Sequence, residues 1–377
     1  MGEKLLITGG GRCNITNAEF DVRALVAAYG SKGKALFGPF TRFGVSETFD
    51  FFVSRDLKLK IEEENRVFPV SDKAADVWRV LVRYLSRGKV EVRTSSPVAG
   101  IRRRGNRVTG VVVRRECVVA DEYIIATGGT SHPETGSTGE GLKFLRAIGH
   151  TVHSSDPALV PIKLKEPWIR DLSGISFSTA GLSVLQNAKK QNYNIGKVLL
   201  THFGLSGPLV LNMSKSISEL YRYAPVTLHL DLFPRKDEAE IDRIILEKLR
   251  EGQNKKIKNS LDGLIQPRMV GTLLHLAGVG GEKEVHSVTR AERLRIVRLL
   301  KGIPLTVSGF LGPERAIVTA GGISLKEVDF TTMRSKLFEN LLLAGDVLDF
   351  DRPSGGYSLQ ICWTTGYLAG EQSCTGV

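Results

Sequence analysis

The pattern of apolar and polar positions changes character twice along the chain. From Pro39 to Asp56, Phe43, Phe49, Phe52 and Val53 recur at helical spacing, and from Ser71 to Arg87 the residues Ala74, Val77, Trp78, Leu81, Val82 and Leu85 trace one helical face. Between them LKLKIEEENRVFP alternates about a polar tip at Glu62 to Asn65 and predicts a hairpin. Asn17 reads as the N-cap of a helix through Tyr29. VEVRT, Val98 to Arg103, Arg107 to Arg114 and Cys117 to Ala120 read as strands, with a turn at Gly105-Asn106. Tyr123 to Ala126 has the uniform apolar character of a short buried strand, and Gly139 to Gly149 continues as a helix.

At Pro157 to Pro161 the pattern shifts to short alternating segments, GISFSTAGLSVLQ, GKVLLTHFGLSGPLVL and PVTLHLDLF, with the turns of a small β-barrel or sandwich. Two capping boxes, Asp237-x-x-Glu240 and Thr289-x-x-Glu292, then open amphipathic helices on either side of a solvated KKIK turn. This helical stretch is expected to end near Leu305. From Val307 the chain returns to the first pattern through AIVTAGGIS. It finishes with a buried apolar run, Leu341 to Ala344, an acidic turn at Gly345-Asp346, a glycine pair at Gly355-Gly356 and a helix carrying Leu359, Trp363, Tyr367 and Gly370 on one face. The expected organisation is therefore a discontinuous domain, 1–158 with 307–377, interrupted by an inserted β-barrel and helical domain at 159–306.

Composition narrows this little. A 42% apolar and 24% charged chain is an ordinary globular protein, no apolar run reaches the roughly 18 residues of a bilayer span, and the first residues lack the apolar core of a signal peptide. Cytoplasm is the expected compartment, and no membrane partner is expected. Four scattered cysteines form no CxxC, so neither a disulfide framework nor a zinc ribbon is implied. His150 and His153 read as marking a strand after a helix rather than a metal site, and no metal is expected. The net charge of +12 permits attraction to nucleic acid or to anionic cofactors and specifies neither. The RRRGNR cluster reads as a solvated hairpin tip, with a nucleic-acid contact as the alternative.

The chemistry sits in the glycines. Gly9-x-Gly11 is followed by Asn14 where a dinucleotide fingerprint needs Gly or Ala, so this is not a phosphate loop. Gly10 and Gly11 nevertheless permit close backbone approach, Arg12 offers a rigid charged fork and Asn14 a two-way amide. Thr127-Gly128-Gly129 is a tight turn after a strand. Gly196-Lys197 does not meet the spacing of a P-loop, and nothing in the spacing of His132 and Glu134 makes them a catalytic pair. Asp346, at the end of a buried strand, could accept hydrogen bonds from sugar-like hydroxyls, and the helix start after Gly356 could receive developing negative charge.

TGGGRCNITN, ATGG followed by SHPETGSTGEG, THFGLSGP and AGDVLD…GGYSLQ…TG together resemble the aminoacetone-oxidase/BaiN-like family of FAD-binding flavoproteins, in the two-dinucleotide-binding-domain superfamily. Ser358 stands where that family usually has Asn. The resemblance extends from Leu5 to Gly370. It implies an α/β, Rossmann-like FAD-binding domain with an inserted domain. In that family TGGGRCN follows a first βαβ unit bearing GxGxxG; here the chain opens where that unit would have ended, so the FAD-binding domain is expected to be N-terminally incomplete.

The resemblance further implies cofactor contacts from Gly10, Gly11, Arg12, Cys13, Asn14, Val98, Thr127, Gly128, Gly129, Gly345, Asp346, Gly355, Gly356, Tyr357, Ser358, Leu359 and Gln360. Cys13 is either a packing neighbour of the flavin or, as in disulfide-reducing relatives of the superfamily, a redox residue. His202 is either structural or faces the active-site cleft. The expected activity is hydride transfer between FAD and a small organic substrate, with NAD(P)H as a possible donor. The alternatives are an FAD-dependent RNA-modifying enzyme and a non-catalytic remnant. Oligomeric state is not readable.

Overall fold

In a computed structural model, which describes residues 1–252, 255–261, 263–312 and 318–374, the chain forms two units: Met1–Ala158 with Pro313–Val377, and Leu159–Gly312. The first unit is mixed α/β. Its four-stranded sheet holds Leu341–Leu343 parallel to Tyr123–Ile125, with Arg334–Ser335 and Val328–Asp329 added antiparallel on the other side. Leu341, Leu342 and Leu343 are fully buried, as a strand covered on both faces requires. Tyr123–Ile125 lies at the sheet edge, and there the sequence reading needs correction: Ile124 is 41% exposed.

Several predicted elements form close to their expected limits. The hairpin pairs Leu59–Glu62 with Arg66–Pro69, the second helix is Ala74–Arg87, and Val98–Arg104 and Arg107–Val113 pair about the glycine turn, joined by Glu116–Val118. The differences have physical causes. VEVRT forms no strand, because Val90 and Val92 lie exposed with no neighbouring strand to pair with. Asn17 caps no helix. It sits in a two-residue strand paired with Arg66, and Asp21 caps the helix Val22–Ala28 by accepting from Ala24 N at 2.8 Å. The stretch from Pro39 is two helices, Phe37–Arg42 and Val45–Val53, broken at Gly44. Val53 faces solvent, and Thr48 takes the inward position.

The C-terminal helix Tyr357–Cys374 also turns a different face inward. Gln360, Ile361, Thr364, Thr365, Leu368 and Ala369 are buried, whereas Tyr367 is 46% exposed and stacks its ring on Phe43 at 4.4 Å. Three of the six buried residues are polar, each hydrogen-bonded: Gln360 Nε2 donates to Gly44 O, Thr364 Oγ1 to Phe43 O and Thr365 Oγ1 to Ile361 O. Hydrogen bonding removes the cost of burying them, so hydrophobic spacing alone misplaces the face.

In the second unit, Ser176–Gln186 pairs with both Lys189–Thr201 and Val226–Asp231. The ladder then runs from Lys189–Thr201 through Gly204–Ser206, Ile162–Leu164 and Ile303–Phe310 back to Val226–Asp231, all antiparallel, closing on itself. Leu182, Val184, Val198, Leu205, Leu228 and Leu305 fill its interior with no exposed surface. Pro208 to Leu211, read as the end of the alternating segment GKVLLTHFGLSGPLVL, instead open a helix, Pro208–Tyr221, with proline in its first turn. Both capping boxes form: Asp237 accepts from Glu240 N at 2.7 Å, and Glu292 accepts from Thr289 N at 2.8 Å. The return to the first unit comes after Gly312 rather than at Val307, because Val307 pairs with Leu164 inside the closed ladder. The return itself, residues 313–317, lies outside the described residues.

Candidate functional site

Segments far apart in the sequence of the first unit meet at the start of the C-terminal helix. Asn17 Nδ2 donates to Gly355 O at 3.1 Å and to Glu64 O at 3.0 Å, joining the hairpin to the glycine pair. Thr16 Oγ1 donates to Gln360 Oε1 at 2.6 Å, Trp363 Nε1 to Ile15 O at 2.9 Å, and Tyr29 OH to Tyr357 O at 2.7 Å. Gly356 must be glycine. Its φ is +101°, and a Cβ there would press on the carbonyl of Thr16 and stand 2.7 Å from Asn17 N. The helix N-terminus, with its unsatisfied first-turn N–H groups, is thus locked beside the TGGGRCN segment.

That segment carries consecutive left-handed glycines: Gly9, Gly10 and Gly11 have φ of +57°, +68° and +87°. A Cβ at Gly10 or Gly11 would meet nothing within 4 Å, so their backbone is open to a ligand. Asn14 Oδ1 is buried without a hydrogen-bond partner, an arrangement costly unless a donor arrives.

On the other side, the short helix Glu3–Ile7 points Lys4 into the loop after Tyr123–Ile125, where its Nζ donates to Ser131 O at 2.6 Å. Burial pulls the Lys4 ammonium below the ordinary lysine value, opposed by the negative charge of Asp346. Asp346 follows Gly345 (φ +72°), whose N–H is held by Thr365 Oγ1 at 2.9 Å. Its Oδ1 lies 3.3 Å from Arg352 Nε and accepts from Cys362 Sγ at 3.6 Å. Burial, reinforced by Asp346, raises the Cys362 thiol, which is therefore protonated at neutral pH.

These contacts hold Gly355, Gly356 and Tyr357 against Thr16, Asn17 and Tyr29, tie Gly345 and Asp346 to Thr365, Arg352 and Cys362, and join Lys4 to Ser131 in the loop after Thr127, Gly128 and Gly129. Three anticipated side chains are spent on the protein itself. The Arg12 guanidinium is held by Glu62 and Asp72, each at 2.5 Å, and lies over the Phe68 ring at 4.0 Å. Gln360 is fully buried among Thr16, Thr48, Gly44 and Thr364. Leu359 packs against the cluster that contains Cys13.

Cys13 is buried, and desolvation pushes its thiol up to about 11, which leaves almost no thiolate at neutral pH. Val98 pairs with Val113 in the basic hairpin. His202 belongs to the second unit, exposed in the turn between Thr201 and Gly204 with its ring against Phe203. His132 and Glu134, unremarkable by spacing, do pair, Nδ1 to Oε1 at 2.8 Å. Sequence reading missed Lys4, Ser131 and Arg352. Only the basic and hydroxyl residues flanking each glycine motif hinted at them.

Compared with known proteins, residues 1–372 match the family described as HI0933-like protein Rossmann domain. The chain is 30% identical over 373 residues to the 3-dehydro-bile acid delta(4,6)-reductase of Clostridium scindens, covering 98% of this chain and 89% of that protein. It is 25% identical to the ribosomal RNA dihydrouridine synthases of Escherichia coli and Haemophilus influenzae, covering 98% and 97% of this chain and 88% of each relative. Matched over nearly its whole length, the chain belongs to the HI0933-like family of FAD-binding Rossmann flavoproteins.

Proposed function

We propose that this protein is an FAD-dependent oxidoreductase that adds two hydrogens across a carbon–carbon double bond conjugated to a carbonyl in an organic substrate, with NAD(P)H as electron donor. One observation carries the reading: the glycine pair and helix N-terminus at Gly355–Tyr357 are fastened to the chain just after the open-backbone glycines by Asn17, Thr16 and the close approach at Gly356. The donor set fits a flavin and its polyol chain. Asn14 Oδ1 is a buried acceptor still lacking a donor, Asp346 would accept from ribityl hydroxyls, and Gly10, Gly11 and Gly128 would let their backbone meet the ring system. When bound, FAD supplies hydride chemistry. The protein's part is to orient it. The first-turn N–H groups at Tyr357 and Ser358 favour negative charge on the nearest ring atoms, and Lys4 adds a partly desolvated cation beside Asp346.

The curated relatives' names support the reaction class, since a Δ-reductase and a dihydrouridine synthase both saturate a ring double bond. The small-molecule substrate is favoured by the identity to the bile acid enzyme. The alternative, uridine reduction in RNA, draws on the net charge of +12, most of which falls within residues 159–312. Anaerobic mixing of the flavin-loaded protein, reduced with NADPH, with a 3-oxo-4,6-diene steroid or with unmodified ribosomal RNA tests both: flavin reoxidation by the steroid supports the first, and new dihydrouridine the second. Reoxidation by neither, with flavin bound, refutes the proposal.

A further inference from the structure

Three imidazole–carboxylate pairs lie in the first unit, and they differ in what remains free. His150 is sealed: Nδ1 meets Glu327 at 2.8 Å, Nε2 meets Ser335 Oγ at 3.1 Å, and the side chain has no exposed surface. Ser335 Oγ also accepts from Leu337 N and Phe338 N, so both ring nitrogens of His150 are taken up by protein partners and neither faces solvent. His132 pairs with a carboxylate that is 60% exposed and so only weakly fixed. His153 is different. Its Nδ1 lies 2.6 Å from Asp349 Oδ2, a carboxylate whose side chain is 6% exposed, while the imidazole itself is 51% exposed. The other oxygen of Asp349 accepts from Lys32 Nζ at 2.7 Å, with Asp351 4.0 Å from the same ammonium.

We infer that His153 is the general acid that protonates the substrate carbon and that Asp349 is its positioning residue. A buried, doubly held carboxylate accepts a hydrogen bond from Nδ1–H and leaves Nε2 free, the arrangement that proton-transfer catalysis needs. The fold places this dyad beside the turn that carries Asp346. Asp349 lies just after Asp346, and its N–H bonds to Ile323 O at 3.2 Å. A Cβ at Gly322, which pairs with His153, would stand 2.6 Å from Val347 O, so the strand lies flat on the Gly345–Val347 turn. The inference rests on the proposed reaction and completes its balance. With reduced FAD supplying the hydride to the β-carbon, the α-carbon would take its proton from Nε2 of the His153 imidazolium, leaving the neutral imidazole.

Two measurements test it. Long-range ¹H–¹⁵N NMR on the flavin-free protein reads the tautomer: neutral His153 should carry its proton on Nδ1, and Asp349→Ala should return it to the Nε2–H form. A wild-type Nε2–H form overturns the dyad whether or not flavin binds, which separates this failure from that of the proposed function. With photoreduced flavoprotein, His153→Gln should slow reoxidation by 2-cyclohexenone on the order of 10²-fold and leave reoxidation by ferricyanide, which needs no proton at carbon, unchanged. Equal rates with the enone, or equal loss with both acceptors, overturn the assignment.

Discussion

Gly356→Ala probes the assembly of the site most directly. The native φ of +101° is outside the regions open to an L side chain, at a cost of roughly 1–3 kcal/mol. The new Cβ also meets backbone atoms of Thr16 and Asn17, which cannot rotate away, and overpacking of that kind costs about 1–3 kcal/mol. The helix start must therefore shift away from the hairpin, straining the Asn17–Gly355 and Thr16–Gln360 hydrogen bonds. A total of roughly 2–6 kcal/mol corresponds to a fall in Tm of about 5–20 °C at about 2–4 °C per kcal/mol. Gly11→Ala is the control, with positive φ (+87°) but nothing within 4 Å of the added methyl. Its penalty is limited to the backbone term. Differential scanning calorimetry of both variants checks the reasoning. If Gly356→Ala melts with Gly11→Ala, the close approach does not hold the site together.

Asp346→Ala should weaken FAD binding roughly ten- to a hundredfold through loss of a charge-assisted hydrogen bond and also lower Tm, because the buried Arg352 loses its counter-charge; fluorescence titration and melting would show both, and an unchanged Tm counts against that ion pair. Iodoacetamide at pH 8 should label the exposed Cys117 and spare Cys13, whose thiol is buried and raised to about 11; equal labelling by mass spectrometry would contradict the packing role. Glu292 is held down to about 2, first by Lys283 and then by the Thr289 N–H. Its contribution is therefore complete above its ordinary value of 4.5 and lost as pH falls towards 2. Glu292→Gln should flatten the acid limb of stability across that window, measured by circular dichroism; an unchanged limb would refute the coupling.

Local signals in the sequence determined much of this protein. Apolar alternation, glycine turns and capping boxes depend on neighbours a few residues away, so the Leu59–Pro69 hairpin, the basic hairpin, the Ala74–Arg87 helix and both capped helices were legible directly. The buried strand Leu341–Leu343, its acidic turn and the glycine pair were legible for the same reason. What tertiary structure decided depends on partners hundreds of residues apart. Gln360 and Thr364 face inward because Thr16, Phe43 and Gly44 offer hydrogen bonds. Arg12 is held in place because Glu62 and Asp72, some 50 and 60 residues on, close on its guanidinium. VEVRT, with strand composition but no partner edge, stays unpaired. His153 gains an orienting carboxylate only because its strand is laid across the turn that carries Asp349. Periodicity records which residues prefer burial, whereas the identity of a polar group's partner is set by the packing of distant elements and leaves no period in the sequence.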